Sequence, residues 1–113
     1  LMSTESGASA ILDQRLDPDG YLRDHLQWSR PIAQQLAARA HIYLTNEHWR
    51  IIDLLRDYYA RTETAPAMRP LVKLVQTEID SALGSPYLMQ LFGGSPAKMA
   101  AKLAGLPRPT NCI

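Results

Sequence analysis

Thr45-Asn46-Glu47-His48-Trp49-Arg50-Ile51-Ile52-Asp53-Leu54-Leu55-Arg56-Asp57-Tyr58-Tyr59-Ala60-Arg61 is the stretch that decides the fold. Trp49, Ile52, Leu55 and Tyr59 recur at spacings of three and four, the period that lines one face of a helix, and Thr45 is a residue type that caps one. A core helix follows. Asp53 stands three residues before Arg56 and four before Asp57, a spacing that reads as a solvated ion-pair face. His48 has no titratable partner at i+4 that would make it a general base, so it reads as a partly buried structural histidine or a surface one.

Working outward, Ser29 caps an earlier helix that tolerates Pro31 in its first turn and carries Ile32, Leu36 and Ala40 four apart, ending near His41. Upstream, Asp17-Pro18-Asp19-Gly20 has the composition of a type I turn, with β-compatible Ile11 and Leu12 before it and Tyr21-Leu22 after it. These residues predict a small β-hairpin over Ala10 to Leu22. A lone hairpin is marginal, so Leu12, Leu16, Tyr21 and Leu22 are expected to pack on helices. Leu1 to Ser9 is small and polar and reads as disordered. Downstream, Thr62 to Pro66 breaks the chain, and Leu71, Val72, Leu74, Val75 and Ile79 predict a third helix with Met68 and Pro70 in its first turn. Pro86 to Phe92 is a short apolar helix, and Gly93-Gly94 separates it from Ser95.

Ser95 and Pro96 suit the N-cap and first position of a last helix that Gly105 ends. Met99 and Leu103 lie four apart on it. Leu106-Pro107-Arg108-Pro109-Thr110-Asn111-Cys112-Ile113 then forms a tail whose two prolines forbid helix. At ~3 Å per residue it could carry the Cys112 sulfur on the order of 20 Å from its anchor. Lys98, Lys102 and Arg108 are the charged side chains from Ser95 onward, and positive surroundings favour the thiolate, the form of cysteine that attacks sulfur. An incidental thiol on a frayed end is the competing reading of these residues.

The 113 residues suffice for one domain with one core, and 46% hydrophobic with 20% charged residues describe an ordinary globular chain. No apolar run nears the ~20 residues of a membrane span and no signal peptide opens the chain, so a cytoplasmic protein is expected. One cysteine cannot close an intramolecular disulfide, and neither zinc spacing nor a phosphate loop is present. No metal, cofactor or conventional active-site pocket is expected. A formal charge of +1 gives no whole-chain argument for nucleic acid. Thr45 to Arg61 and Ala67 to Leu83 nonetheless admit a helix-turn-helix, in which Arg69 and Lys73 would meet DNA as in a transcriptional regulator. Glu63, Glu78 and Asp80 close by weaken that reading.

Asp19-Gly20-Tyr21-Leu22, Gln27-Trp28-Ser29 with Pro31, His48-Trp49, Arg56-Asp57-Tyr58-Tyr59, Pro66-Ala67-Met68-Arg69 with Leu71-Val72-Lys73, Leu91-Phe92, Pro96-Ala97-Lys98, and above all Ala104-Gly105-Leu106-Pro107-Arg108-Pro109 ending in Cys112-Ile113 resemble the DsrC/TusE family. The resemblance runs from about Asp17 to the last residue. It implies a mostly α fold: a small N-terminal β-hairpin, then a compact helical domain with a helix-turn-helix-like core and a flexible C-terminal arm. The expected divisions are a disordered 1–9, a single domain over 10–105 and a mobile arm over 106–113.

The same resemblance implies a sulfur carrier, a sulfurtransferase whose Cys112 becomes a persulfide and whose Lys98, Lys102, Arg108 and Pro107 contact partners or anions. The branch that serves dissimilatory sulfite reductase has a second cysteine where this chain has Ala101. The chain therefore looks like the TusE branch, which implies a TusBCD-like donor complex and an MnmA-like tRNA thiouridylase as acceptor, with or without bound tRNA, in 2-thiolation of the wobble uridine. Direct nucleic-acid binding would be weak or absent, with no membrane contact. A DsrC-like partnership with dissimilatory sulfite reductase and a helix-turn-helix regulator are the alternatives.

Overall fold

A computed structural model describes residues 10–109. After a helical run at residues 10–15 and a 3₁₀ turn at His25–Gln27 come five helices: α1 (Arg30–Arg39), α2 (Asn46–Thr62), α3 (Met68–Glu78), α4 (Ser85–Phe92) and α5 (Pro96–Leu103). The mostly α expectation holds.

The N-terminal β-hairpin does not. No strand or sheet occurs among the described residues, and all that remains of the hairpin is one antiparallel bridge between Leu16 and Leu22. Ala10-Ile11-Leu12-Asp13-Gln14-Arg15 is helical because Ala, Leu, Gln and Arg favour helix, and because burying Leu12 and Leu16 together is a four-residue repeat. Ile11, on which the strand reading leaned, is 51% exposed. The expected turn does form: Asp17 Oδ1 accepts the Asp19 and Tyr21 N–H groups, each at 2.9 Å.

The core collects Ile32, Leu36 and Ala37 from α1, Ile51, Ile52 and Leu55 from α2, Leu71 and Val75 from α3, and Leu88 and Phe92 from α4. Helix α2 turns its Ile51–Ile52–Leu55 face inward with His48, while Trp49 sits at the edge beneath the Arg30 guanidinium, 4.5 Å from the ring centroid. His48 is structural: Nδ1 accepts the Thr45 N–H at 3.1 Å, so Nε2–H donates to the Leu91 carbonyl at 2.7 Å and ties the start of α2 to α4.

Helix α5 is the one that packs on all four others. Ala97, Ala100, Ala101 and Ala104 are buried on it, and side chains this small let neighbouring helices close in at interior packing density. The last helix is thus the axis of the bundle, and the tail grows from that axis.

Candidate functional site

The site is assembled around the C-terminal end of α5. Here the last carbonyls of a helix lack intrahelical donors, and this chain supplies them from far away in sequence. Trp28 Nε1–H donates to the Leu103 carbonyl at 2.8 Å and Arg56 Nη1–H to the Ala104 carbonyl at 2.7 Å. Gly105 adopts φ +72 and Leu106 N–H closes on the Ala101 carbonyl at 2.9 Å, ending the helix with a left-handed residue. The Arg56 guanidinium lies 4.1 Å from the Trp28 ring centroid, so cation and indole form one layer under the helix end. Burial lowers the Arg56 pKa from its ordinary value, and the Asp53 charge pulls it partly back; the group stays charged at neutral pH, where a cation suits the negative end of a helix dipole.

Gly105 has no alternative here. A Cβ on it would sit 2.4 Å from Trp28 Cδ1 and 2.8 Å from Trp28 Cβ, the latter an atom next to the backbone that cannot swing away. The glycine therefore answers two demands, positive φ and contact with Trp28.

The foot of the tail is bound to the body. Leu106 is buried in the core, Pro107 is exposed, Arg108 pairs with Asp19, and Pro109 is buried again. The Arg108 guanidinium and the Lys102 ammonium both lie 5.2 Å from the Tyr21 ring centroid. Tyr21 is thus the place where the turn at Asp17–Gly20, helix α5 and the tail meet. Of the expected site residues, Lys102 and Arg108 are brought together on this ring. Lys98 lies one turn earlier on α5, exposed, and shares with Lys102 a groove of about 600 Å³ along α4 and α5. Pro107 stands beside Arg108 without joining either cation. Cys112 lies outside the described residues. Arg69 and Lys73 are exposed on α3 and do not line the groove.

Trp28 and Arg56 are what sequence reasoning missed; Gly105 reads in the sequence as the residue that ends the last helix, and it does so at φ +72, but its contact with Trp28 was not foreseen. Arg56 reads as a member of a solvated face, but only its neighbours behave so: Asp53 pairs with Arg30 at 3.5 Å and Asp57 with Arg61 at 3.2 Å, while Arg56 turns in toward a carbonyl 48 residues away. The available signal was a tryptophan just before a helix cap and outside any apolar stripe, which asks for a partner elsewhere.

The DsrC-like protein family matches residues 11–113 of this chain. Sulfurtransferase TusE of Escherichia coli strain K12 is 44% identical over 98 residues, covering 86% of this chain and 90% of that protein. Sulfurtransferase TusE of Buchnera aphidicola subsp. Acyrthosiphon pisum is 40% identical over 98 residues, covering 86% of each. Among solved structures, Allochromatium vinosum DsrC superposes with a TM-score of 0.78 at 41% identity, over 87% of this chain and 88% of that one. The oxidized gamma-subunit of the dissimilatory sulfite reductase (DsrC) from Archaeoglobus fulgidus gives 0.77 at 42% identity, over 88% and 91%.

Proposed function

The chain belongs to the DsrC-like protein family, and from that membership we propose that it is a sulfur carrier whose Cys112 accepts sulfur as a persulfide and hands it to an acceptor protein. The observation that carries this reading is that the family match runs through Cys112, the sole thiol in the sequence. The Cys112 thiolate attacks the terminal sulfur of a donor persulfide; the donor's S–S bond breaks with its electron pair leaving on the inner sulfur as a thiolate, and a new S–S bond forms at Cys112. The second transfer repeats this with Cys112 as the leaving thiolate, so no oxidant or reductant is consumed.

In this reading residues 106–113 are the delivery arm and 10–105 the body that aims it. With Leu106 and Pro109 buried, the reach left to Cys112 is that of three residues beyond Pro109, roughly 10 Å at ~3 Å per residue, until the foot detaches. Lys102 and Arg108 meet on the Tyr21 ring at the foot of the arm and Lys98 shares the groove with Lys102, and positive charge there favours the anionic persulfide and an anionic partner surface. Pro107 and Pro109 reduce the entropy lost when the arm enters a partner's cleft.

The TusE relatives support a place in a sulfur relay; that the donor is a TusBCD-like complex and the acceptor an MnmA-like tRNA thiouridylase is what the motif resemblance implies and is part of this proposal. A second reading, partnership with dissimilatory sulfite reductase, is supported by the DsrC superpositions. Ala101 weighs against it. That residue is 1% exposed and carries no thiol with which Cys112 could close a bridge. The test is intact-protein mass spectrometry after incubation with inorganic polysulfide: the chain gains one sulfur, and the Cys112→Ser variant gains none. Sulfur gained equally by the serine variant refutes the assignment.

A further inference from the structure

We propose that the groove between α4 and α5 is a docking surface for a partner protein, and that its occupant is an acidic segment bearing an apolar side chain. This rests on the sulfur-carrier reading and names the chemistry of the partner to which the carrier docks. The groove measures about 600 Å³. Its apolar lining includes Ile42, Leu91, Phe92 and Met99, and Met89 stands on it 48% exposed. Gly93 and Gly94 leave one stretch open: a Cβ on either would meet nothing within 4 Å, so another chain can approach the bare backbone.

The charge is of one sign. Lys98 and Lys102 are the charged side chains that line the groove, and no carboxylate lines it. Neither lysine takes part in a salt bridge among the described residues. A cationic wall beside an apolar floor selects an acidic segment that also offers a side chain to bury. Phosphates alone would leave the floor uncovered. The chain's own outlying segments fit poorly, since residues 1–9 hold one acid, Glu5, and residues 110–113 hold no acidic side chain. A second copy docked on the same face would set lysines against lysines.

The position is also right for a carrier. Lys102 belongs both to this groove and to the Tyr21 ring that holds Arg108, so one end of the groove opens at the foot of the arm. A partner seated there lies beside Arg108, where the arm leaves the body.

The experiment uses the full ¹⁵N-labelled chain and a blocked synthetic peptide, Asp-Glu-Leu-Phe-Glu-Asp, with a second peptide carrying Asn and Gln for the acids. The acidic peptide shifts the amide resonances of Ile42, Met89, Gly93, Lys98 and Met99, and the neutral one binds about tenfold more weakly or not at all. The double variant Lys98→Glu/Lys102→Glu, checked for a native circular dichroism spectrum, loses the acidic peptide; Met89→Ser weakens it with both lysines in place. Equal binding of the two peptides, shifts elsewhere, or no binding overturns the proposal. So does an RNA hairpin that moves the same resonances where the peptide does not. Movement of those resonances on deleting residues 110–113, with no peptide present, overturns it in favour of the chain's own tail. Wild-type loading with polysulfide is read in parallel: loading without peptide binding refutes the docking surface alone, and absence of loading refutes the carrier reading.

Discussion

Replacing Gly105 by alanine probes the junction on which the arm stands. Alanine at φ +72 costs about 1–2 kcal/mol from the clash of Cβ with its own backbone in the left-handed region. The new Cβ also lies 2.4 Å from Trp28 Cδ1 and 2.8 Å from Trp28 Cβ, so the indole or the helix end must move, at about 1–3 kcal/mol for overpacking. If the indole moves, its bond to the Leu103 carbonyl goes with it, about 1 kcal/mol more. The sum, about 3–6 kcal/mol, is a large share of the ~5–15 kcal/mol that keeps a domain folded. At about 4–8 °C per kcal/mol, thermal unfolding followed by circular dichroism shows Tm falling by more than about 12 °C. Removing the whole side chain separates the contributions: in a Trp28→Gly background, which takes away the Cβ as well as the indole, the same glycine change costs only the backbone part, about 1–2 kcal/mol. A Gly105→Ala protein within 1 kcal/mol of wild type, or a cost unchanged when Trp28 is absent, refutes the account.

Arg56→Ala removes a charged donor from the Ala104 carbonyl and lowers stability by about 2–3 kcal/mol in urea unfolding, with Arg56→Lys intermediate because an ammonium cannot both stack on Trp28 and reach the carbonyl in a fixed plane. His48→Ala strips partners from the Thr45 N–H and the Leu91 carbonyl and costs about 1–3 kcal/mol in the same assay; a loss under 0.5 kcal/mol contradicts the bridge between α2 and α4. Tyr87 titrates above 10.0, first because it is partly buried and then because Glu47 accepts its hydroxyl hydrogen and repels the phenolate, with Arg50 opposing. Its folded pKa exceeds its unfolded one, so the stability it contributes is present below pH 10 and is lost as pH rises through the folded value. Ultraviolet difference titration against Tyr87→Phe shows this tyrosine ionising above the ordinary tyrosine value, and Glu47→Gln moves it back down.

What the sequence discloses and what it hides divide along a physical line. Helix α2 is legible because its apolar residues repeat with the helical period inside one stretch. The helices at α1, α3, α4 and α5 announce themselves by caps, prolines and glycines in the same local way. The N-terminal segment misleads because Ile11 beside Leu12 suits a strand locally, whereas the outcome depends on Leu12 and Leu16 reaching helices that come later in the chain. Arg56 and Trp28 were illegible as a pair: each meets a carbonyl 48 or 75 residues away, and backbone acceptors leave no trace in side-chain identity. Lys98 and Lys102 could be read as one face of a helix, but their meeting with a groove and with Tyr21 could not. The convergence of Lys102 and Arg108 needed the Asp17–Gly20 turn to be carried to α5 by the whole fold.

Because Trp28 and Arg56 grasp two successive carbonyls, they fix the rotational phase of α5 as well as its end. Adding or deleting one residue between Ser95 and Leu103 would turn everything beyond it by about 100° around the helix axis. Leu106 would then face water and Arg108 would point away from Asp19, so the length of this helix is held to the residue.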